Sequence, residues 1–132
     1  MAGDCFDEAA GFHQVNPWVL RAIAAQESTF NANALHVNSN GSVDIGMNGT
    51  NSVHLPELAK FGISQNDLLD PCKSIYVAAW QLKKKVRKYG NTWAAIGAYH
   101  SETPQYRDAY ASKIRITLEY WSKQGLLGQA RH

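Results

Sequence analysis

Hydrophobic and polar positions follow a helical period over most of the chain. Apolar residues recur three and four positions apart between Asn16 and Glu27, and again between Asp70 and Gly90. Asn16 and Asp70 are each followed by proline. This pair typically begins a helix, because the polar side chain caps the first turn and proline fits its first position. Glycine commonly follows the last turn of a helix, as Gly90 does here. The pattern therefore predicts one helix after Asn16 and another from Asp70 to Gly90.

Three more helices are predicted by the same period. The first runs from Cys5 to His13, with Phe6, Ala9, Ala10 and Phe12 as candidate core residues. The second is capped by Thr92, and the third begins at Thr103-Pro104. Apolar residues at helical spacing in that last helix are Tyr106, Tyr110, Ile114, Leu118 and Trp121. Short helices are also expected at 54–61 and around 67–69.

Residues 31–51 break the helical pattern. They are rich in Asn and Gly, and only Val43 and Ile45 alternate around Asp44 in the manner of a strand. We expect a loop here with at most a small hairpin. The predicted fold is therefore mainly α, a helical bundle with a small β-hairpin or extended loop.

Length and composition indicate one globular domain. The chain has 132 residues, of which 45% are hydrophobic and 18% charged, enough to bury a core. We expect the core to cover about 5–122 and residues 123–132 to form a flexible tail. A net charge of +2 does not indicate nucleic acid. No apolar run reaches the 18 residues typical of a membrane span, and we expect a monomer.

Two cysteines bear on the cellular compartment. Cys5 and Cys72 each lie at the start of a predicted helix, outside any metal-type spacing. They are either two buried thiols or, as we favour, a disulfide that forms in an oxidising compartment. Residues 1–4 lack the apolar stretch of a signal peptide. This leaves a cytosolic protein or one whose leader has been removed, and the cysteines favour the second.

Two carboxyls in unlike settings are the main candidates for chemistry. Glu27 ends an apolar helix, where an anion opposes the helix dipole and its pKa tends to rise. Asp44 lies in a polar segment and is either an electrostatic helper or a structural turn residue. Two carboxyls with different protonation states are what cleavage of a glycosidic bond requires. Tyr99, at a predicted helix end, either fills a corner or directs its hydroxyl at Glu27.

Other chemistries find no support in the sequence. Four histidines, His13, His36, His54 and His100, lack the spacing of a metal site. Phosphate-binding, dinucleotide-binding and serine-hydrolase motifs do not occur. We therefore expect no metal and no cofactor. The basic run in the helix before Gly90 is expected to be a solvated face, with partner binding as the alternative; it comprises Lys83, Lys84, Lys85, Arg87 and Lys88.

Seven short blocks follow one another in order along residues 5–115. They are Cys5-Phe6, Ala25-Gln26-Glu27-Ser28 with Phe30-Asn31, Val43-Asp44-Ile45-Gly46, Asn51-Ser52, Asp70-Pro71-Cys72, Tyr89-Gly90-Asn91-Thr92-Trp93 and Ala98-Tyr99-His100-Ser101 with Thr103-Pro104. Together these blocks resemble the lysozyme-like soluble lytic transglycosylases. The resemblance is greatest to the small specialised members that accompany type III and type IV secretion systems and conjugation machinery.

The resemblance implies a lysozyme-like fold and a periplasmic enzyme acting on peptidoglycan glycan strands, with a secretion-system component as a possible partner. It implies cleavage between N-acetylmuramic acid and N-acetylglucosamine with a 1,6-anhydro product. Glu27 would be the acid. Many relatives in the wider family need only this Glu, so Asp44 would be an added electrostatic stabiliser that the resemblance itself does not demand. Alternatives are a lysozyme-type hydrolase and a weakly active wall-binding or scaffold module. The residues expected to support Glu27 or to contact substrate are Ser28, Gly46, Met47, Asn48, Asn51, Tyr99 and His100.

One segment departs from the pattern that the resemblance implies. After Asp44-Ile45-Gly46, members of this family usually continue with two apolar residues and then Gln, whereas this chain has Met47, Asn48 and Gly49. Two explanations remain open: Asn48 supplies the missing amide from one position earlier, or the groove is wider here.

Overall fold

The computed structural model describes residues 4–127 and consists mainly of helices. A small sheet and two short 3₁₀ turns, Ser52–His54 and Asn66–Leu69, complete the described part. This architecture confirms the predicted mainly α, lysozyme-like fold. In chain order the helices are α1 (Cys5–His13), α2 (Pro17–Ser28), α3 (Leu55–Ala59), α4 (Pro71–Tyr89), α5 (Trp93–His100) and α6 (Pro104–Lys123), and the strands are β1 (Leu35–Val37), β2 (Val43–Ile45) and β3 (Thr50–Asn51).

Four helices, α1, α2, α4 and α5, begin at side-chain caps. Asn16 accepts a hydrogen bond from the Trp18 backbone N–H at 2.8 Å, and Asp70 accepts one from Lys73 at 3.1 Å. Thr92 caps α5 in the same way. These contacts satisfy donors that the first turn of a helix leaves free. The predicted starts of α2, α4 and α5 are confirmed. They were predictable because each cap contacts residues within one turn of itself.

The three strands form an antiparallel sheet in the order β1-β2-β3. Asp44 lies in the middle of β2, opposite His36 on β1 and Asn51 on β3. The sheet has one strand more than the expected hairpin. The sequence could not predict β3, because two residues are too few to show the alternating pattern of a strand. Its pairing depends on β2 and not on local propensity.

The core consists of two clusters that share helix α4. The larger cluster lies between α1, α2, α4 and α6, and includes the fully buried Leu20, Ile23 and Ile114. The smaller one joins the sheet to α4 through Ile45 and Val77. Burying a side chain of this size contributes about 1.5–3 kcal/mol relative to exposure. Because α4 belongs to both clusters, it fixes the sheet relative to the helices.

Cys5 and Cys72 form a disulfide between the first turns of α1 and α4, with their Cα atoms 5.4 Å apart. Of the two alternatives left open by the sequence, the structure contains the disulfide. It closes a sequence separation of 67 residues. In the chain-entropy picture a loop of this length contributes about 4 kcal/mol to stability.

Two aromatic residues that the period assigned to the core are exposed. Phe12 is 74% exposed and Tyr106 57% exposed. The prediction for Phe12 was wrong because Ala9 and Ala10 already define the buried face of α1. With 3.6 residues per turn, residue 12 lies about 110° around the helix from the midpoint of Ala9 and Ala10, outside the narrow face that they bury. Its ring instead meets Tyr76, with centroids 6.1 Å apart.

The basic run on α4 is partly neutralised by acidic residues of neighbouring elements. Lys84 pairs with Glu57 at 3.3 Å, and Lys85 and Lys88 both pair with Glu102. These are exposed ion pairs of small energetic value. No helix among the described residues has the length and apolar character needed to cross a membrane. The expected tail begins after α6, and residues 128–132 of it lie outside the described part.

Candidate active site

A groove with two lobes crosses the molecule between the sheet and the helices. One lobe, of about 320 Å³, is lined by the loop between β1 and β2, by β2 and β3, by the end of α5 and by one residue of α4; it is here called the sheet lobe. The other, of about 400 Å³, is lined by β1, α2 and α6 and is called the helix lobe. Four residues line both lobes and so mark their junction: Glu27, Asn38, Asp44 and His100. The two predicted carboxyls therefore face the same groove.

Glu27 lies in the last turn of α2 and is mostly buried. Burial raises its pKa to about 7, from an ordinary value of 4.5. Nearby groups make smaller contributions: Tyr110 and Lys113 lower the pKa, and the negative charge of Asp44 raises it. Glu27 can therefore hold a proton near neutral pH and also release it.

Helix α2 ends abruptly after this residue. Thr29 and Phe30 both adopt positive φ angles, of 50° and 62°. Left-handed backbone is unusual for residues other than glycine, and for a β-branched residue such as Thr it is an outlier that costs on the order of 1–3 kcal/mol. The sharp turn ends the helix directly beyond Glu27.

Ser28 and Tyr99 hold the segment 46–49 against Glu27. The Ser28 hydroxyl donates to the backbone carbonyl of Met47 at 2.8 Å. The Tyr99 hydroxyl donates to that of Asn48 at 2.9 Å. Burial raises the pKa of Tyr99, with Glu27 and Asp44 adding to the effect, so this group remains a donor. Of the two alternatives for Tyr99, a corner filler or a hydroxyl directed at Glu27, the structure matches neither fully: the hydroxyl binds the segment beside Glu27.

Two glycines let the segment pass close to other groups. A Cβ on Gly46 would collide with the Leu68 carbonyl, and one on Gly49 would lie 2.7 Å from Glu27 Oε1. Both have positive φ angles, 79° and 65°, which glycine adopts without strain. Gly49 thus leaves the space that the Glu27 side chain occupies.

Asn48 is fully buried and lies beneath the segment instead of in the groove. Its side-chain amide donates to the Leu20 carbonyl at 3.0 Å, and its backbone N–H donates to Ser74 Oγ at 3.3 Å. The interpretation that Asn48 supplies an amide to the substrate is therefore not supported by its position. Asn48 connects the segment to α2 and α4.

Asp44 is oriented by two side-chain amides. Its Oδ1 accepts a hydrogen bond from Asn51 at 2.9 Å, and its Oδ2 accepts one from Asn38 at 3.3 Å. Asn51 was among the predicted site residues, and Asn38 was not. Because both partners are donors, the arrangement suits a carboxylate, which is an acceptor only.

The helix lobe contains three further groups that face the carboxyls. The His100 ring stacks on that of Tyr110, with centroids 4.7 Å apart and planes 7° from parallel. Burial lowers the pKa of His100, which favours its neutral form. The buried Tyr110 hydroxyl is near enough to lower the Glu27 pKa, although it completes no well-aligned hydrogen bond within residues 4–127. Lys113 brings a positive charge to the same lobe.

Sequence reasoning placed Tyr110 in the core and missed its role as a wall of the groove. Its helical spacing correctly predicts burial, and it is 4% exposed. No local signal shows that the other end of its ring faces a carboxyl 83 positions earlier in the chain. For Lys113, Thr50 and Gln81, which also line the groove, the sequence likewise carries no local signal.

Within residues 4–127 one group of side chains has the proximity that metal binding requires. It consists of Cys5, Glu8 and Cys72. Because its two sulfur atoms are bonded to each other in the disulfide, they are not available as thiolate ligands.

A mainly α domain with a small sheet, and with two carboxyls facing one groove between them, is the layout of lysozyme-like proteins. The model of one family, the transglycosylase SLT domain, matches residues 4–115. This covers most of the chain, including α1 to α5, the sheet and the groove. The chain belongs to the transglycosylase SLT domain family.

Individual relatives cover nearly the same region. An Escherichia coli protein named X polypeptide is 38% identical over 133 residues, which is 95% of this chain and 79% of the relative. Protein IpgF of Shigella flexneri is 37% identical over 92% of this chain and 85% of its own length. Invasion protein IagB of Salmonella typhimurium is 40% identical over 84% of this chain and 72% of its own length.

Proposed function

We propose that the protein is a peptidoglycan lytic transglycosylase. It would cleave the β-1,4 bond between N-acetylmuramic acid and N-acetylglucosamine and leave a 1,6-anhydro-muramic end. The observation that carries this proposal is Glu27, a mostly buried carboxyl with a pKa raised to about 7, at the junction of two groove lobes. Membership of the transglycosylase SLT family supports the same reaction class.

The reaction needs one group that first gives a proton and then takes one. Protonated Glu27 donates to the glycosidic oxygen, which leaves with the bonding electrons from C1 of muramic acid. The Glu27 carboxylate then accepts the proton of the 6-hydroxyl of the same sugar, and that oxygen bonds to C1. Protons and electrons balance without water. A pKa of about 7 suits both steps, because the acid form and the carboxylate form of Glu27 are both populated at neutral pH.

Asp44 is proposed to stabilise the positive charge that develops at C1. Its oxygens are held by Asn38 and Asn51, so the negative charge is oriented before the reaction begins. Fixed charges act most strongly in a groove that excludes water. Its charge also contributes to the raised pKa of Glu27. Asp44 would therefore favour both the proton on the acid and the charge on the sugar.

Ser28 and Tyr99 are proposed to act as positioning residues. They bind the backbone of the segment that packs on Glu27, and so hold the acid in one orientation. Asn51 would position Asp44. Gly46, Met47 and Asn48 would provide the supporting segment, and His100 would contact the glycan at the junction of the lobes.

The presence of Asp44 in the same groove also favours a second candidate, hydrolysis by a lysozyme-type mechanism. Two carboxylates flanking a bond are the usual equipment for transferring a sugar to water. The two reactions differ in their products. Mass spectrometry of purified peptidoglycan after digestion is expected to detect anhydro-muramic ends, whereas reducing muramic ends would establish the hydrolase instead.

Controls separate catalysis from binding of the wall. Glu27→Gln is expected to release no fragments, and the matched variant Glu119→Gln, on the exposed face of α6, is expected to act like the wild type. A wild-type protein that sediments with peptidoglycan but releases nothing would indicate a wall-binding module.

We further propose that the protein acts in the periplasm as a monomer, where it opens the wall for a secretion system. The disulfide between Cys5 and Cys72 supports an oxidising compartment, and one relative is named an invasion protein. Fractionation of producing cells is expected to recover the protein with periplasmic markers, and light scattering to give the monomer mass. Recovery with cytosolic markers in the reduced form would contradict this location.

A further inference from the structure

Two buried polar atoms in the sheet lobe have no hydrogen-bond partner within the described residues. They are Thr50 Oγ1 and Gln81 Nε2. The two residues are only 1% and 7% exposed, respectively, and both line the lobe. A buried polar group without a partner destabilises the folded protein. Neither side chain takes part in the proton transfers described above, so another role is required to explain them.

The two residues approach the lobe from different elements. Thr50 is in β3, opposite Ile45 of the neighbouring strand. Gln81 is on α4, the helix shared by both core clusters. Both elements are fixed by packing, so the two polar groups are preorganised for a ligand. Gly49 lines the same lobe and has no side chain to fill it.

The chemistry of the lobe matches a particular sugar substituent. A carboxamide and a hydroxyl each provide a donor and an acceptor, and the exposed Val53 adds an apolar surface to the same lobe. A 2-acetamido group presents one N–H, one carbonyl and one methyl. A plain hydroxyl presents no methyl, and a carboxylate presents no donor.

We propose that Gln81 and Thr50 form a subsite that recognises the acetamido group of the N-acetylated sugar bound on the sheet side of Glu27. This rests on the proposed function, since it assigns a glycan to the groove. The amide that the segment 47–49 does not present to the groove is then supplied from α4. Gln81 is a specificity residue for the N-acetyl group and takes no part in bond cleavage.

Two neutral trisaccharides test the subsite directly. Tri-N-acetylchitotriose and cellotriose share the β-1,4 backbone and differ at C2, where one carries acetamido groups and the other hydroxyls. Titration calorimetry on the Glu27→Gln protein would measure binding without cleavage. We expect the acetylated sugar to bind at least about tenfold more tightly, since a site built for a polar group rejects ligands that lack it.

Substitutions in the same background assign that preference to the two residues. Gln81→Met keeps the length of the side chain and removes its hydrogen bonds. It is expected to weaken binding of the acetylated sugar about five- to tenfold and leave cellotriose unchanged. Thr50→Val, which conserves shape, is expected to act in the same direction. The matched control Gln65→Met changes an exposed glutamine outside the groove and is expected to keep the full preference.

Each outcome decides the proposal. An unchanged acetyl preference in a folded Gln81→Met or Thr50→Val protein, verified by circular dichroism, would overturn it. So would a Glu27→Gln protein that binds both sugars equally or neither. If the acetyl preference is present but the wild-type protein does not cleave peptidoglycan, the subsite stands and the transglycosylase proposal fails.

Discussion

Glu27 and Asp44 face the same groove, yet the molecule surrounds them very differently. Glu27 ends a helix and is mostly buried, so desolvation dominates its behaviour and raises its pKa to about 7. Asp44 lies in a strand and accepts hydrogen bonds from two asparagine amides. The two carboxyl groups thus lie in different environments: the helices bury Glu27, and the sheet side surrounds Asp44 with hydrogen-bond donors. In the proposed mechanism this difference gives the proton transfers to Glu27 and the charge stabilisation to Asp44.

The largest effect is expected from neutralising the helical side. Glu27→Gln removes the proton donor and is expected to lower the rate of peptidoglycan cleavage by at least about 10³-fold, within the range typical of general acid catalysis. Fragment release measured by chromatography checks this. If the variant retains a tenth of the wild-type rate, the assignment of the acid is wrong.

The same substitution is expected to stabilise the protein in a pH-dependent way. The raised pKa means that the folded state binds the Glu27 proton more tightly than the unfolded state, so stability falls as the pH rises from about 4.5 through about 7. Glu27→Gln removes this loss of stability. It is expected to raise the free energy of unfolding by up to about 3 kcal/mol at pH 8 and by little at pH 5.

Urea unfolding of both proteins at the two pH values measures this effect, with Glu119→Gln as the exposed control. An equal change at pH 5 and pH 8 would contradict the burial argument, because the gain then would not come from the buried charge.

A smaller effect is expected on the sheet side. Asp44→Asn is expected to slow cleavage about 10- to 100-fold through lost electrostatic stabilisation. The variant should also move the alkaline limb of the pH–rate profile to lower pH, since the charge of Asp44 raises the pKa of Glu27. Asp108→Asn, on the exposed face of α6, is the matched control. A wild-type rate and profile would reduce Asp44 to a structural role.

The smallest effect is expected from Tyr110→Phe, which changes only the setting of Glu27. The hydroxyl lowers the Glu27 pKa, so its removal should move the alkaline limb to higher pH. The maximal rate should fall by about threefold or less. Tyr120→Phe, exposed on the same helix, is the control and should leave the profile in place. A limb that shifts downwards would show that the hydroxyl does not favour the carboxylate.

The parts of the fold that depend on local chemistry could be predicted from the sequence. Asn16 and Asp70 cap their helices with groups two or three residues away, so a short window contains the whole interaction. The helical spacing between Asp70 and Gly90 also predicted which residues of α4 are buried: Ile75, Ala78, Ala79 and Leu82 are buried and Val86 is partly buried. Phe12 failed because its position relative to the buried face depends on where α1 packs, which no local pattern determines.

The site shows the same division. Glu27 was recognisable because its helix ends beside it. Tyr99 binds Asn48, 51 positions earlier, and Gln81 reaches a lobe whose other lining residues belong to elements far from it along the chain. These contacts depend on how α4 and α5 lie against the sheet, and that arrangement arises from packing of the two core clusters. Gln81 in particular is one polar residue in a long amphipathic helix, where a surface position is the ordinary expectation.

The anchors of the segment 46–49 have a consequence for sequence variation. Ser28 and Tyr99 bind main-chain carbonyls of Met47 and Asn48, and every residue has such a carbonyl. The anchors therefore do not depend on which side chains the segment carries. Gly46, Asn48 and Gly49 are constrained by their own contacts. Met47, by contrast, packs against the helical core and can change while its backbone stays attached. Position 47 can thus diversify, in nature or in a mutant library, without releasing the segment beside the carboxyl.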